Sequence, residues 1–219
     1  VYDIDDFAYD GQVLTGFSQS GEEKFKENKN VVLPDYNSNG ELITEIGPSA
    51  FEMPWEGVVA DNGCLPGLAS PNGMRSVVLP KDLIKIGDSA FRYNNISSIE
   101  YPESLKEIGN LCFNGNQFEH VNLPDSIEKI GIASFSLNKV VDFTLPKSAT
   151  EIPNGLFSYN YIENVKLPEG ITRVGDAAFR GNQIKSIELP STVKEISRRA
   201  FQANLLTSLS IPSNVETIG

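Results

Sequence analysis

Along most of this chain the apolar positions keep one schedule, and proline marks its beat. Pro80, Pro102, Pro124, Pro146, Pro168, Pro190 and Pro212 stand 22 residues apart, and Pro34 precedes Pro80 by 46. Counted from each proline, positions +3, +6, +11, +16, +19 and +21 are apolar, with Ala149 the weak member at +3. Position +11 is phenylalanine in every full unit from Pro80 on: Phe91, Phe113, Phe135, Phe157, Phe179 and Phe201. A period of about 20–50 residues is the mark of a solenoid, whose units bury their apolar sides only against one another.

Within a unit, the +19 and +21 positions alternate with polar residues, as in Val121-Asn122-Leu123. That spacing predicts a short parallel strand with one buried face. The next proline ends it, because its ring fixes φ and it donates nothing to a ladder. Glycine at +7 (Gly87, Gly109, Gly131, Gly175, Gly219) permits a bend, and the x-x-Ala-Phe that follows suits about one helical turn. Position +14 is asparagine in all six full units, from Asn94 to Asn204. A turn needing only a tolerant φ would admit Gly or Asp in some copies. None does, so the amides are expected to form a ladder to buried backbone groups of neighbouring coils.

Residues 1–30 do not follow the repeat and read as a cap, leaving 31–219 as the array. Asp10-Gly11 between alternating segments signals a hairpin. Ser20 with Glu23 three residues on signals a capped helix of about two turns. The aspartates Asp3, Asp5, Asp6 and Asp10 invite a calcium reading, but Phe7 and Ala8 stand where an EF-type loop needs an oxygen ligand and glycine. They read as a solvated acidic cap, with no metal. The array is interrupted within 52–71 by an insertion carrying Trp55 and Cys64. Trp55 suits either a recognition loop or a hydrophobic plug. The chain stops at Ile218-Gly219 in mid-repeat, as expected of a fragment of a longer chain.

The unit L-P-x-x-L-x-x-I-G-x-x-A-F-x-x-N-x-I-x-x-I, strict over 72–219 and loose over 31–51, resembles the BspA-type (Treponema-like) bacterial leucine-rich repeats. The resemblance implies a leucine-rich-repeat horseshoe solenoid, α/β in type with mostly short strands, capped by the hairpin and helix. It also implies a secreted or cell-surface bacterial protein used in adhesion or protein binding and devoid of enzymatic activity. Nothing in the insertion carries over from the family pattern.

Charge and chemistry narrow the picture little further. The net charge is −11, and residues 1–50 hold ten acids against three bases. An acidic balance without a basic stripe argues against nucleic acid, and no run of about 18 apolar residues inserts into a membrane. There is one histidine, no phosphate loop and no nucleophile motif, so neither catalysis nor a cofactor is expected. Cys112 occupies a small core slot, filled by alanine or serine in most other units, which leaves a bridge to Cys64 as the less favoured reading. The candidate partner contacts are the outward columns of the strands: Glu100, His120, Asn122, Asp142, Thr144, Asn164, Lys166 and Glu188, with Trp55 from the insertion. The expected partner is a host, matrix or other surface protein. A spacer or display stalk is the alternative. Carbohydrate binding is weaker, because the outward tyrosines (Tyr93, Tyr159, Tyr161) lie at the turns.

Overall fold

A computed structural model describes residues 1–54 and 70–219. Trp55 and Cys64 lie outside the described residues. The rest of the array winds as coils with three hydrogen-bonded edges, one more than the periodicity predicted.

The first edge is a ladder of two-residue strands at +5 and +6, such as Lys85–Ile86 and Glu107–Ile108. It begins at the N-terminal hairpin, where β1 (Phe7–Asp10) pairs antiparallel with β2 (Val13–Phe17). From β2 it runs parallel through Glu45–Ile46, Lys85–Ile86 and Glu107–Ile108 to Lys129–Ile130. It resumes as a separate ladder from Glu151–Ile152 to Thr217–Ile218. Strands of two residues are too short to show a period of two, which is why the alternation missed them.

Neighbouring coils bring their backbones close together just beyond this edge. A Cβ placed on Gly131 would stand 2.2 Å from the carbonyl carbon of Gly109, and one on Gly109 would stand 2.5 Å from the Asp88 nitrogen. Glycine fits such an approach most easily, although the unit from Pro190 carries Ser197 there and its N–H still bonds Val174 O at 2.8 Å. The unit from Pro146 has Pro153 in the glycine slot. Proline has no N–H to give the preceding coil, a bond that Gly109 makes to Ile86 at 2.8 Å and Gly131 to Ile108 at 2.8 Å. The ladder breaks between Lys129–Ile130 and Glu151–Ile152, beside Pro153.

The second edge replaces the expected helical turn with two linked β-turns. Ala90 N–H bonds Gly87 O at 3.3 Å and Arg92 N–H bonds Ser89 O at 3.0 Å, with Ser89 at φ 57°. A positive φ at the third residue is the type II signature. The same left-handed position recurs at Leu111, Ala133, Gly155, Ala177 and Arg199, and a second one falls at Tyr93, Gly115, Leu137, Tyr159, Gly181 and Ala203. These bends turn every other N–H along the solenoid axis: Ser89, Phe91 and Tyr93 donate to Asn110, Cys112 and Asn114 of the next coil at 2.8–3.0 Å.

Asparagine closes the gap between this edge and the next. Asn116 Oδ1 accepts from Ile96 N–H at 3.0 Å, and its Nδ2 donates to Phe91 O at 2.8 Å and Phe113 O at 3.1 Å. Asn138, Asn160, Asn182 and Asn204 repeat the pattern, as the amide-ladder expectation required. Inside, the phenylalanines stack from coil to coil with centroids 5.4–6.2 Å apart, Phe91 on Phe113 at 2°. Burying each stabilises by roughly 1.5–3 kcal/mol. Cys112 is a free thiol in this core.

The cap continues that stack. Phe17 lies 4.9 Å edge-on to Phe51 and 5.0 Å from Phe25 of the helix α1 (Gln19–Glu27). The helix is capped by Ser18, which accepts from Gly21 N–H at 3.3 Å, and not by Ser20 as the sequence suggested. Ser20 reaches across to Asp6 Oδ1 at 3.0 Å, and Glu23 pairs with Lys26 instead of closing a capping box. Asp6 is buried, and its carboxylate also takes the Asp3 N–H and the Lys24 ammonium. Burial raises the Asp6 pKa, but those donors outweigh it and hold the group below the ordinary aspartate value.

Candidate functional site on the strand face

The third edge is the one the outward columns predicted. Three-residue strands at +18 to +20, such as His120–Asn122, bury the middle residue and expose the two flanking it. Their ladder is intermittent. Asn30–Val32 pairs with Ser76–Val78, His120–Asn122 with Asp142–Thr144, and Asn164–Lys166 with Ser186–Glu188. Between those pairs no ladder bonds form among the described residues.

Most of the predicted contact residues are exposed here, and most are already engaged sideways. His120 Nδ1 lies 2.9 Å from Asp142 Oδ1, Ser186 Oγ donates to Asn164 at 2.8 Å, and Lys166 lies 3.4 Å from Glu188. Exposed pairs of this kind are worth about 0–1 kcal/mol each. They join only coils whose strands are also hydrogen-bonded. Among the described residues the side chains of Asn122 and Thr144 stand outward without a hydrogen bond, and Glu100 has no ion-pair partner.

The first edge, by contrast, is closed by charge. Its +5 column reads Glu45, Lys85, Glu107, Lys129, Glu151, Arg173, Glu195, alternating in sign at every coil. Lys85 meets Glu45 at 2.7 Å, and Arg173 bridges Glu151 at 3.3 Å and Glu195 at 3.2 Å. The Lys85 pKa is raised, first by its hydrogen bond to Glu45. A face that answers each charge with its neighbour offers little to a partner.

What the columns missed lies at their N-terminal end. Val32 and Val78 sit side by side in paired strands at the outward position and are 58% and 56% exposed. The repeated string Val-Val-Leu-Pro at 31–34 and 77–80 carries that signal, ahead of the outward columns that begin at Glu100. Beside Val78 the face opens into a groove of about 610 Å³ between Ser76–Leu79 and Ser98–Pro102, in which Glu100 is the charged lining residue. Among the described residues no group of His, Cys, Asp or Glu is arranged to hold a metal, and no helix is long and apolar enough to cross a membrane.

The comparisons with known proteins agree with this geometry. The BspA type leucine-rich repeat region matches residues 70–183 and 150–219, in six copies. A leucine-rich repeat protein from Bacteroides ovatus ATCC 8483 superposes with a TM-score of 0.67 at 21% identity, over 98% of this chain and 60% of that one. This chain therefore spans less than two thirds of that structure. A leucine rich cell surface protein from Faecalibacterium prausnitzii A2-165 aligns at TM-score 0.49 and 21% identity, covering 97% of this chain and 48% of that one. No curated protein matches the sequence. Coil geometry, asparagine ladder and sequence profile together place this chain in the BspA-type leucine-rich repeat family.

Proposed function

We propose that this chain is a binding module of an extracellular or cell-surface protein, and that it engages another protein through its strand face. The observation that carries the reading is the contrast between edges. The +5 edge answers its charges internally, whereas the strand face keeps the Val32–Val78 pair exposed and, beside an open groove, Glu100 without an ion-pair partner among the described residues. Exposed apolar residues rimmed by polar ones mark interaction surfaces more often than inert ones. Among the described residues no catalytic constellation competes with this reading, and a shallow open face offers nothing to desolvate a reacting group.

A display stalk is the second reading, supported by the sideways pairs His120–Asp142 and Lys166–Glu188, which make part of the face self-sufficient. Pull-down against extracellular-matrix and host-surface proteins, run beside a glycan array, separates the two. Saturable protein binding weakened by charge reversal at Asp142 and Lys166 supports the module. Absence of binding to either panel supports the stalk, and glycan binding alone would overturn both.

A further inference from the structure

The +21 position of the repeat is aliphatic in every coil but one. Leu33, Leu79, Leu123, Leu145, Leu167, Leu189 and Ile211 occupy it, and Tyr101 is the exception. The tyrosine ring turns inward and packs edge-on to Phe113, with centroids 6.3 Å apart at 77°. Its hydroxyl is buried without a hydrogen-bond partner. A leucine would fill this slot without leaving a polar atom unpaired.

The ladder is open on both sides of this coil. Where leucine fills the slot, its N–H can bond the next coil: Leu33 to Val78 O at 3.0 Å, Leu123 to Thr144 O at 3.0 Å, Leu167 to Glu188 O at 3.3 Å. The corresponding bonds from Leu79 to Glu100 and from Tyr101 to Asn122 are not made, nor are those from Leu145 to Lys166 and from Leu189 to Ser210. Ser98–Tyr101 is thus unpaired on both sides, in the middle of the array. The groove of about 610 Å³ lies along one side of this unpaired segment, while Asn95 N–H to Met74 O at 2.9 Å and Ser104 Oγ to Leu83 O at 2.8 Å hold the coil to its neighbour on either side of it. The groove presents main-chain donors and acceptors in register, with Val78 on one rim and the Glu100 carboxylate on the other.

We propose that Tyr101 props open a strand-accepting groove whose occupant is an extended peptide of a partner protein, alternating apolar and basic side chains. This rests on the strand face being a protein-binding surface. The free N–H and C=O groups of Leu79 and Glu100 supply sequence-independent affinity, as when a strand adds to a sheet edge. Val78, with Val32 beside it, selects the apolar side chains. Glu100, the charged lining residue, selects the basic ones on a molecule whose net charge is −11.

The test uses a synthetic peptide of alternating lysine and valine, its alternating glutamate and valine counterpart, and a lysine–valine peptide N-methylated at every second amide. Hydrogen exchange is read residue by residue on the whole chain. The lysine–valine peptide is expected to slow exchange at the Leu79 and Glu100 amides by about tenfold or more, and the other two peptides to leave them unchanged. Tyr101→Leu should close the ladder, protecting the same amides without peptide and weakening peptide binding at least about tenfold. Glu100→Gln, an exposed change that leaves the coil intact, should weaken binding about two- to fivefold, the worth of one surface ion pair. Unchanged exchange at millimolar peptide, equal binding of the N-methylated peptide, or equal binding by Tyr101→Leu overturns the proposal. So does protection that rises with protein concentration alone, which would make a second copy the occupant. If a protein partner is lost on charge reversal at Asp142 and Lys166 yet ignores Tyr101→Leu, the groove fails while the strand-face reading stands.

Discussion

At the scale of single residues, the array depends most on side chains that never face a partner. Asn138 takes the Phe118 N–H at 3.1 Å and donates to Phe113 O at 2.9 Å and Phe135 O at 3.2 Å, all buried. Asn138→Ala would strand those backbone groups at roughly 1–3 kcal/mol each. The expected loss is about 3–5 kcal/mol in urea unfolding, whereas exposed Asn122→Ala should stay within about 0.5 kcal/mol. The asparagine was legible because its amide needs both a donor and an acceptor, and no substitute appeared in any copy. The left-handed turn residues were not. Leu111, Leu137, Tyr93, Tyr159 and Arg199 hold φ between 55° and 58° where glycine or asparagine would be easiest, so composition concealed the conformation. The coil imposes it, because only those bends turn Ser89, Phe91 and Tyr93 toward the next carbonyls. Of the contact candidates, alternation correctly put His120, Asn122, Asp142 and Thr144 outside. It could not show that His120 and Asp142 would meet, since parallel register across 22 residues is a property of stacking.

At the scale of elements, the cap makes the sharper predictions. Helix α1 crosses the start of the hairpin so closely that a Cβ on Gly21 would stand 1.9 Å from Asp6 O. Gly21→Ala must therefore push the helix off, at a cost of about 3 kcal/mol or more. Loss of aromatic near-ultraviolet dichroism from Tyr2, Phe17 and Phe25, with exchange protection retained beyond residue 70, is the expected signature. Acid should act on the same joint. The native carboxyl of Asp6 lies below its unfolded value of about 3.9, so its contribution is complete above that pH and is lost as the pH falls through the native pKa. Hydrogen exchange in β1 and β2 should accelerate below about pH 4, and Asp6→Asn should flatten that dependence at the expense of stability at neutral pH. The hairpin was readable from Asp10-Gly11. The cap residue was misplaced by two positions because Ser18 and Ser20 carry the same chemistry, and only the approach of α1 to Asp6 decides between them.

At the scale of the whole molecule, the question is where a nearly uniform array parts first. In a solenoid, stability is close to a sum over units and their nearest-neighbour interfaces, so the weakest interface sets the boundary. Two edges are open together at one junction among the described residues, between the units that start at Pro124 and Pro146. On the first edge Pro153 withholds its N–H. On the strand face Phe143 stands where other units have Val, Ile or Leu, and its ring leans onto Phe157 at 4.4 Å. Phe135 and Phe157 are 6.2 Å apart, the widest step in the stack. What remains is the turn ladder from Ala133, Phe135 and Leu137, the bonds of Asn160, the Tyr161 N–H to Val140 O at 2.9 Å, and Lys147 and Ser148 on the exposed side, reaching Asp125 and Ile127 O. The segment before the junction has the aromatic lid and a six-stranded ladder, against four strands after it. Denaturant should therefore expose residues 146–219 before 70–145, seen by exchange mass spectrometry as two steps. Pro153→Gly restores both the donor and the room for close approach, and is expected to merge the steps and protect the Thr150 and Glu151 amides. A single transition in the unmodified chain, or two unaltered steps after Pro153→Gly, would place the weak interface elsewhere. The period gave the solenoid its units, but its weakest joint comes from one proline in a glycine slot and one phenylalanine in an aliphatic one.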